Sequence, residues 1–190
     1  MMKYVYHGSP IPNLKIIKAK ESTHMKKWVY ACTSKAISTI FLSQLGNDLY
    51  YSLSGDGIDY QVELVERKKG MFKHIFNCSG YIYKLDASNF KNGQTGWSAE
   101  LVSDKDEIVL ETIYIENVYK ELVKLNEAGL IKLYLYPERP NRIPQDNSDL
   151  IPKVIRWQKN GFDVNKFYKL YPELKDKFLN KRVNENIGEE

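Results

Sequence analysis

The stretch Val5-Tyr6-His7-Gly8-Ser9-Pro10 places a histidine and a glycine where a predicted β-strand ends and a proline-containing loop begins. Glycine has no side chain, so the backbone at Gly8 can approach a ligand closely. His7 offers two ring nitrogens beside that backbone. An isolated His-Gly pair is more often an incidental feature of a strand end. A functional interpretation therefore depends on which other polar side chains fold against this stretch.

A second strand end is predicted near Tyr30. The segment Trp28–Cys32 is rich in aromatic and β-branched residues, which favours a strand. Thr33-Ser34 then provides natural N-cap residues for a helix predicted over Lys35–Leu45, which Gly46-Asn47 is expected to stop. Because the strand turns almost at once into a helix, we expect the side chain of Tyr30 at the mouth of a cleft.

A third strand end carries Glu100. This residue lies between Trp97 and a Leu-Val pair, so its strand is expected to be partly buried while its carboxylate faces a polar group. Glu107 and Glu111 follow closely in the chain. The identity of the functional carboxylate therefore stays open among these three glutamates.

The remaining pattern predicts an α+β protein with a mainly antiparallel sheet, because six or more short strands alternate with few helices. Further strands are predicted over 3–7, 60–66, 80–85, 108–115 and 130–136. Further helices are predicted over 117–125, 150–159 and 164–183, the last disturbed at Pro172. The segment 18–27 is predicted to be a polar loop, and Arg67–Gly70 a solvent-exposed basic turn.

The chain of 190 residues is predicted to form one core with an appendage. From Pro137 onward, prolines recur at 140, 144 and 152 and break regular structure. Residues 1–136 are therefore assigned to a core. Residues 137–190 are assigned to a mostly helical C-terminal extension that packs on the core.

Composition excludes several classes of function. The net charge of +4 is too small to indicate a nucleic-acid partner by itself. No apolar run approaches the roughly 18 residues that a membrane span needs, and the amino terminus lacks the apolar region of a signal peptide. Cys32 and Cys78 are not spaced as a metal site or a disulfide scaffold. A cytoplasmic protein without a membrane partner is expected.

Common catalytic motifs are absent as well. The chain has no Gly-x-Gly-x-x-Gly or Gly-x-x-x-x-Gly-Lys loop for a nucleotide, and no Gly-x-Ser-x-Gly elbow. Its three histidines, His7, His24 and His74, are scattered, which argues against structural zinc. The polar residues that remain on strand ends are His7, Tyr30 and Glu100.

These three residues lie in segments that resemble, in order, the motifs of the ADP-ribosyltransferase superfamily in its His-Tyr-Glu branch. This branch includes the poly-ADP-ribose polymerase and diphtheria-toxin groups. Tyr6–Pro10 with Asn13 resembles the first motif, Val29–Ala31 before its helix the second, and Ala99–Ser103 the third. Gly80–Leu85 is similar to a strand of the rifamycin-modifying transferases. The resemblance covers about residues 4 to 120.

The resemblance implies a fold of two packed, mainly antiparallel sheets, with NAD bound in the cleft between the two sheets, plus the C-terminal helices. It assigns the cofactor to His7, Gly8, Ser9, Tyr30 and Ala31. By this analogy the backbone of Gly8 holds the nicotinamide amide and His7 bonds the adenosine-side ribose. Tyr30 stacks on the nicotinamide ring.

The resemblance also implies the reaction. Glu100 is the implied catalytic residue, bonding the hydroxyls of the nicotinamide ribose while the glycosidic bond breaks. A carboxylate suits this step because it stabilises an oxocarbenium-like centre. The expected activity is transfer of ADP-ribose from NAD to an acceptor that the sequence does not identify. Protein, nucleic acid and small molecule all stay open.

Three alternatives remain beside this interpretation. An RNA 2′-phosphotransferase-like enzyme would want a dense basic surface, whereas the basic residues Lys68, Lys69, Arg139, Arg142 and Arg156 are scattered. A relative without catalysis could bind NAD or a protein partner, because a fold does not guarantee activity. A toxin with a neutralising partner protein is the third alternative.

Overall fold

The computed structural model describes residues 2–21, 25–43 and 49–187, with side chains described through residue 182. The strands are β1 (Tyr4–Ser9), β2 (Ile16–Ile17), β3 (Lys20–Glu21), β4 (Lys27–Cys32), β5 (Tyr51–Ser54), β6 (Glu63–Glu66), β7 (Gly80–Asp86), β8 (Glu100–Ser103), β9 (Glu107–Ile115) and β10 (Lys132–Tyr134). The helices are α1 (Lys35–Ile40), α2 (Met71–Phe76), α3 (Val118–Glu127), α4 (Leu150–Lys159), α5 (Val164–Leu170) and α6 (Lys175–Ile187), with a 3₁₀ turn over Pro172–Leu174. The predicted α+β class is confirmed.

The strands form two sheets. The larger has the order β2-β9-β7-β1-β4-β3, with β8 also paired to β4, and all its pairs are antiparallel. The smaller has the order β10-β6-β5, in which β10 and β6 run parallel. β1 pairs with β7 along its whole length, but with β4 only at Tyr6↔Cys32. Beyond this one position, β1 and β4 are therefore not paired, and a gap lies between them.

Side-chain alternation assigns the two faces of β4 to different cores. Val29 and Ala31 belong to a cluster that also holds Val5, Tyr83 and Leu85. Cys32 belongs instead to the main core, which is built from α1, α2, α3 and strands of both sheets. This is the period-2 pattern of a strand covered on both faces.

The C-terminal helices have a core of their own. Aromatic and aliphatic side chains of α4, α5 and α6 pack with Leu49 in a separate buried cluster. The Tyr171 hydroxyl donates to the Leu49 carbonyl at 2.5 Å, which joins the extension to the rest of the chain. The helix predicted over 150–159 is confirmed as α4, and the interruption predicted at Pro172 is also observed.

The extension is also joined to the core through Arg67, which is 0% exposed. Its guanidinium donates to both carboxylate oxygens of Asp149, at 3.0 and 2.9 Å. Its carbonyl accepts a hydrogen bond from the Asn147 side chain at 3.3 Å. The prediction of a solvent-exposed turn is therefore wrong for Arg67, because the polar groups that make its burial possible come from residues about 80 positions later.

Other predictions differ from the structure in extent. α1 ends at Ile40, five residues earlier than predicted. The ring of the next residue, Phe41, packs edge-on against the Trp97 ring, with the two ring centroids 5.9 Å apart. Leu45 and the predicted stop at Gly46-Asn47 lie outside the described residues. β3 interrupts the polar loop predicted over 18–27, since its two residues pair with β4. β6 begins at Glu63 rather than at position 60, and β5 and α2 were not predicted.

None of the helices in the described part of the chain combines the length and the apolar content needed to cross a lipid bilayer.

Candidate functional site

A cavity of about 230 Å³ lies where β1, β4, β8 and α1 meet. It is lined by Tyr6, His7, Gly8, Tyr30, Ala31, Cys32, Ser38, Phe41 and Glu100. Five of the six residues that the sequence suggested for the site are in this lining. The sixth, Ser9, is not: it is buried, and its hydroxyl accepts the Ile11 N–H at 3.2 Å.

His7 bridges the gap between β1 and β4. Its Nδ1 lies 2.7 Å from the carbonyl oxygen of Tyr30, just beyond the single pairing position of the two strands. A carbonyl only accepts, so Nδ1 carries the hydrogen and donates it. In the neutral ring, Nε2 is then the acceptor nitrogen.

The charge state of His7 follows from its surroundings. Burial lowers the pKa of His7 below its ordinary value of 6.5, the hydrogen bond to Tyr30 opposes this, and the charge of Lys20 adds to the lowering. A lowered pKa keeps the imidazole neutral at pH 7. At the cavity, His7 is therefore suited to accept a hydrogen bond rather than to supply a positive charge.

Gly8 allows α1 to pack directly on β1. A Cβ atom at this position would lie 2.6 Å from the backbone carbonyl oxygen of Ser38, closer than real contacts allow. The Ser38 hydroxyl donates to the Tyr6 carbonyl at 2.8 Å and holds the helix there. The structural requirement for glycine is thus the contact with α1, while the backbone of Gly8 also borders the cavity.

Tyr30 and Ala31 supply the β4 side of the cavity. Tyr30 is half-buried, and its ring meets the Trp28 ring edge-on with centroids 6.1 Å apart. Trp28 and Tyr30 are two residues apart and so project from one face of the strand. Ala31 is 3% exposed. Because neighbouring side chains of a strand point to opposite faces, the Ala31 side chain packs in the cluster with Val5 and Leu85. The Tyr30 ring offers an aromatic face on which a flat ring can stack.

Glu100 is the only one of the three candidate glutamates that lines the cavity. It opens β8, directly opposite Cys32 of β4. Glu107 is buried elsewhere and accepts the Ser103 hydroxyl at 2.5 Å. Glu111 pairs with Lys84 at 3.0 Å on the surface of β9. The sequence left the choice open among Glu100, Glu107 and Glu111. Of these three glutamates, Glu100 is the one whose position allows contact with a ligand in this cavity.

Cys32 also lines the cavity, but its buried thiol is poorly suited to act as a nucleophile. Burial raises the pKa of its thiol to about 12, the Ser38 hydrogen bond opposes this, and the charge of Glu100 adds to the rise. Nucleophilic attack requires the thiolate, which is scarce at such a pKa. Cys-His covalent catalysis is therefore not supported, although His7 lies in the same lining.

The cavity thus combines one carboxylate, one neutral imidazole and aromatic rings. Among the described residues its lining contains no lysine or arginine. Such a lining can stabilise positive charge near Glu100 and orient a flat ring, and it does not favour a purely anionic ligand. In the same described part of the chain, no group of three His, Cys, Asp or Glu side chains could hold a metal ion.

Sequence reasoning missed four lining residues, which are Tyr6, Cys32, Ser38 and Phe41. For Tyr6 a signal was present, because it lies two positions before Gly8 and so shares its strand face. Ser38 and Phe41 gave no comparable signal, since both belong to a helical segment whose docking depends on tertiary packing.

Comparisons with protein-family models, with curated proteins and with solved structures returned no match to this chain.

Proposed function

We propose that the protein is an ADP-ribosyltransferase-like enzyme that cleaves the nicotinamide glycosidic bond of NAD and transfers ADP-ribose to an acceptor. The observation that supports this proposal is the meeting of His7, Tyr30 and Glu100 in one cavity. They come from three strands, β1, β4 and β8. The proposal also includes the fold relationship, with the gap between β1 and β4 as the NAD cleft.

In the proposed reaction, Glu100 is the catalytic residue. The electrons of the glycosidic bond leave with nicotinamide, so the positive charge of the pyridinium passes to the ribose as an oxocarbenium-like centre. The Glu100 carboxylate bonds the ribose hydroxyls and stabilises this charge as it develops. Only interactions that strengthen in the transition state raise the rate, so Glu100 affects turnover more than NAD binding.

His7, Gly8, Tyr30 and Ala31 bind the cofactor in this proposal. Tyr30 stacks on the nicotinamide ring, and the Gly8 backbone bonds its amide. Nε2 of neutral His7 accepts a hydrogen bond from a hydroxyl of the adenosine-side ribose. The cavity is smaller than the roughly 300–1,000 Å³ of typical ligand pockets, so in this proposal it holds the nicotinamide end. The adenosine-side ribose reaches His7 at the gap between β1 and β4, and the rest of NAD lies outside the cavity.

The direct test is release of nicotinamide from NAD by the purified protein. Glu100→Gln keeps the shape of the side chain and removes its charge, and we expect about 100-fold slower release or more. Glu111→Gln is the matched control, because it makes the same change on a glutamate outside the cavity. If Glu100→Gln behaves like wild type, the assignment of the glutamate is wrong.

The same assay separates the alternatives. NAD binding by calorimetry without nicotinamide release would favour a relative without catalysis. An RNA 2′-phosphotransferase is not favoured by the described residues, since Arg67 is buried and Arg139 and Arg142 are bonded to Pro144 and Glu63 away from the cavity.

A further inference from the structure

The turn of residues 55–60 is organised by one carboxylate, that of Asp56. Its Oδ1 accepts the backbone N–H groups of residues 58, 59 and 60, each at 3.0 Å. Its Oδ2 accepts the hydroxyl of Ser98 at 2.6 Å. Asp56 is 8% exposed. These hydrogen bonds, that of Ser98 first, hold the pKa of Asp56 well below its ordinary value, so the acceptor is an anion and the bonds are charge-assisted.

This turn grips the segment that leads into Glu100. Ser98 lies two residues before Glu100, and the neighbouring Trp97 donates its indole N–H to the Gly55 carbonyl at 2.9 Å. The Glu100 N–H in turn donates to the Trp97 carbonyl at 3.1 Å. Two consecutive side chains ahead of Glu100 are therefore bonded to a turn 42 residues earlier in the chain.

The segment is also held by β4 and by Thr33, the residue that follows it. The Thr33 N–H donates to the Ala99 carbonyl at 3.0 Å, and Cys32 pairs with Glu100 itself. β8 is only four residues long and begins at Glu100. Within the strand, Glu100 therefore has a paired neighbour on one side only, and the residues before it need other contacts to hold them. The Asp56 turn supplies a second anchor for this segment, through the side chains of Trp97 and Ser98.

We propose that Asp56, acting through Ser98, is a positioning residue that fixes the Glu100 carboxylate for catalysis. This inference rests on the proposed function. Reaction rates depend steeply on the placement of catalytic groups, and a displacement of about 1 Å can cost about 100-fold. Loosening the segment before Glu100 lowers turnover, while the groups proposed to bind NAD on β1 and β4 keep their positions.

The test is Ser98→Ala, with nicotinamide release measured over a range of NAD concentrations. We expect kcat to fall about tenfold or more, with the KM for NAD unchanged. Ser98→Thr retains the hydroxyl and is expected to restore kcat. Ser103→Ala is the matched control, because it also removes a serine-to-carboxylate hydrogen bond, at the other end of β8, and it is expected to leave kcat unchanged. If Ser98→Ala fails to fold, Ser98→Cys can be used instead. Its side chain has nearly the same shape, and its thiol is only a weak hydrogen-bond donor to Asp56, so kcat is again expected to fall.

The outcomes are distinct. If wild type is active and Ser98→Ala keeps its kcat, the positioning role is wrong while the proposed function stands. If Ser103→Ala loses kcat equally, the effect belongs to the general stability of β8 and the positioning role is again overturned. If wild type releases no nicotinamide, the proposed function fails and the inference fails with it.

Discussion

Removal of the Asp149 carboxylate tests how the C-terminal extension is joined to the core. Asp149 holds Arg67 with two hydrogen bonds, and the Arg67 side chain is 0% exposed while that of Asp149 is 23% exposed. In Asp149→Ala the guanidinium stays buried without its counter-ion. The remaining contact from Arg67 to Asn147, at 3.3 Å, is neutral and cannot compensate the charge.

The expected loss follows from this burial. Breaking a buried ion pair by removing one partner typically costs about 3–5 kcal/mol, and the partial exposure of Asp149 places the expectation at the lower end, about 3 kcal/mol. Loss of a negative charge at the start of α4 contributes at most about 1 kcal/mol of this. For a chain of this size, about 3 kcal/mol corresponds to a fall in Tm of roughly 6–12 °C.

The matched control is Lys177→Ala. Lys177 pairs with Asp146 at the same 2.9 Å in the same region, but these side chains are 58% and 49% exposed. An exposed pair contributes about 0–1 kcal/mol. Urea unfolding followed by tryptophan fluorescence and circular dichroism measures both variants. Equal free energies of unfolding for the two variants would refute the claim that burial of Arg67 makes its ion pair important.

Two further predictions concern β1. The pKa of His7 is lower in the folded chain than in the unfolded chain, so the unfolded state binds the proton first as the pH falls. The free energy of unfolding is therefore expected to drop from about pH 6.5 down to the folded pKa. Urea titrations at several pH values should show this slope in wild type and a smaller slope in His7→Gln, and equal slopes would contradict the lowered pKa of His7. Gly8→Ala forces a Cβ against the backbone of Ser38 and is expected to lower the free energy of unfolding by about 1–3 kcal/mol. In the control Gly80→Ala, the Cβ meets the movable side chain of Leu42, so a smaller loss is expected. Thermal melts compare the two variants, and an equal or reversed order would count against the rigid contact between β1 and α1.

Local patterns were sufficient for most elements. The aromatic and β-branched run of Trp28–Cys32 predicted a strand that the structure contains as β4, and the strand predicted over 80–85 is observed as β7. The helix predicted over 117–125 is observed as α3, and the side chain of its N-cap residue Asn117 accepts the Lys120 N–H at 2.9 Å. These features depend on neighbours within a few residues, where periodicity and capping are informative.

Contacts between distant parts of the chain could not be predicted in this way. Arg67 reads as a solvated cation until Asp149 is placed beside it, 82 residues later. Asp56 reads as an ordinary turn residue until it meets Ser98. Likewise, the local pattern alone could not rank Glu100 above Glu107 and Glu111. The family resemblance placed Glu100 first, and it is the one of these three glutamates that lines the cavity.

We propose that His7, Tyr30 and Glu100 form an NAD site, and the decisive experiment is a crystal structure of Glu100→Gln soaked with NAD. The variant is expected to slow turnover and so to keep the dinucleotide intact. We expect the nicotinamide ring to lie against Tyr30, with the side chain at position 100 on the hydroxyls of its ribose. NAD bound elsewhere, or a cavity that stays free of NAD at saturating concentration, would contradict it.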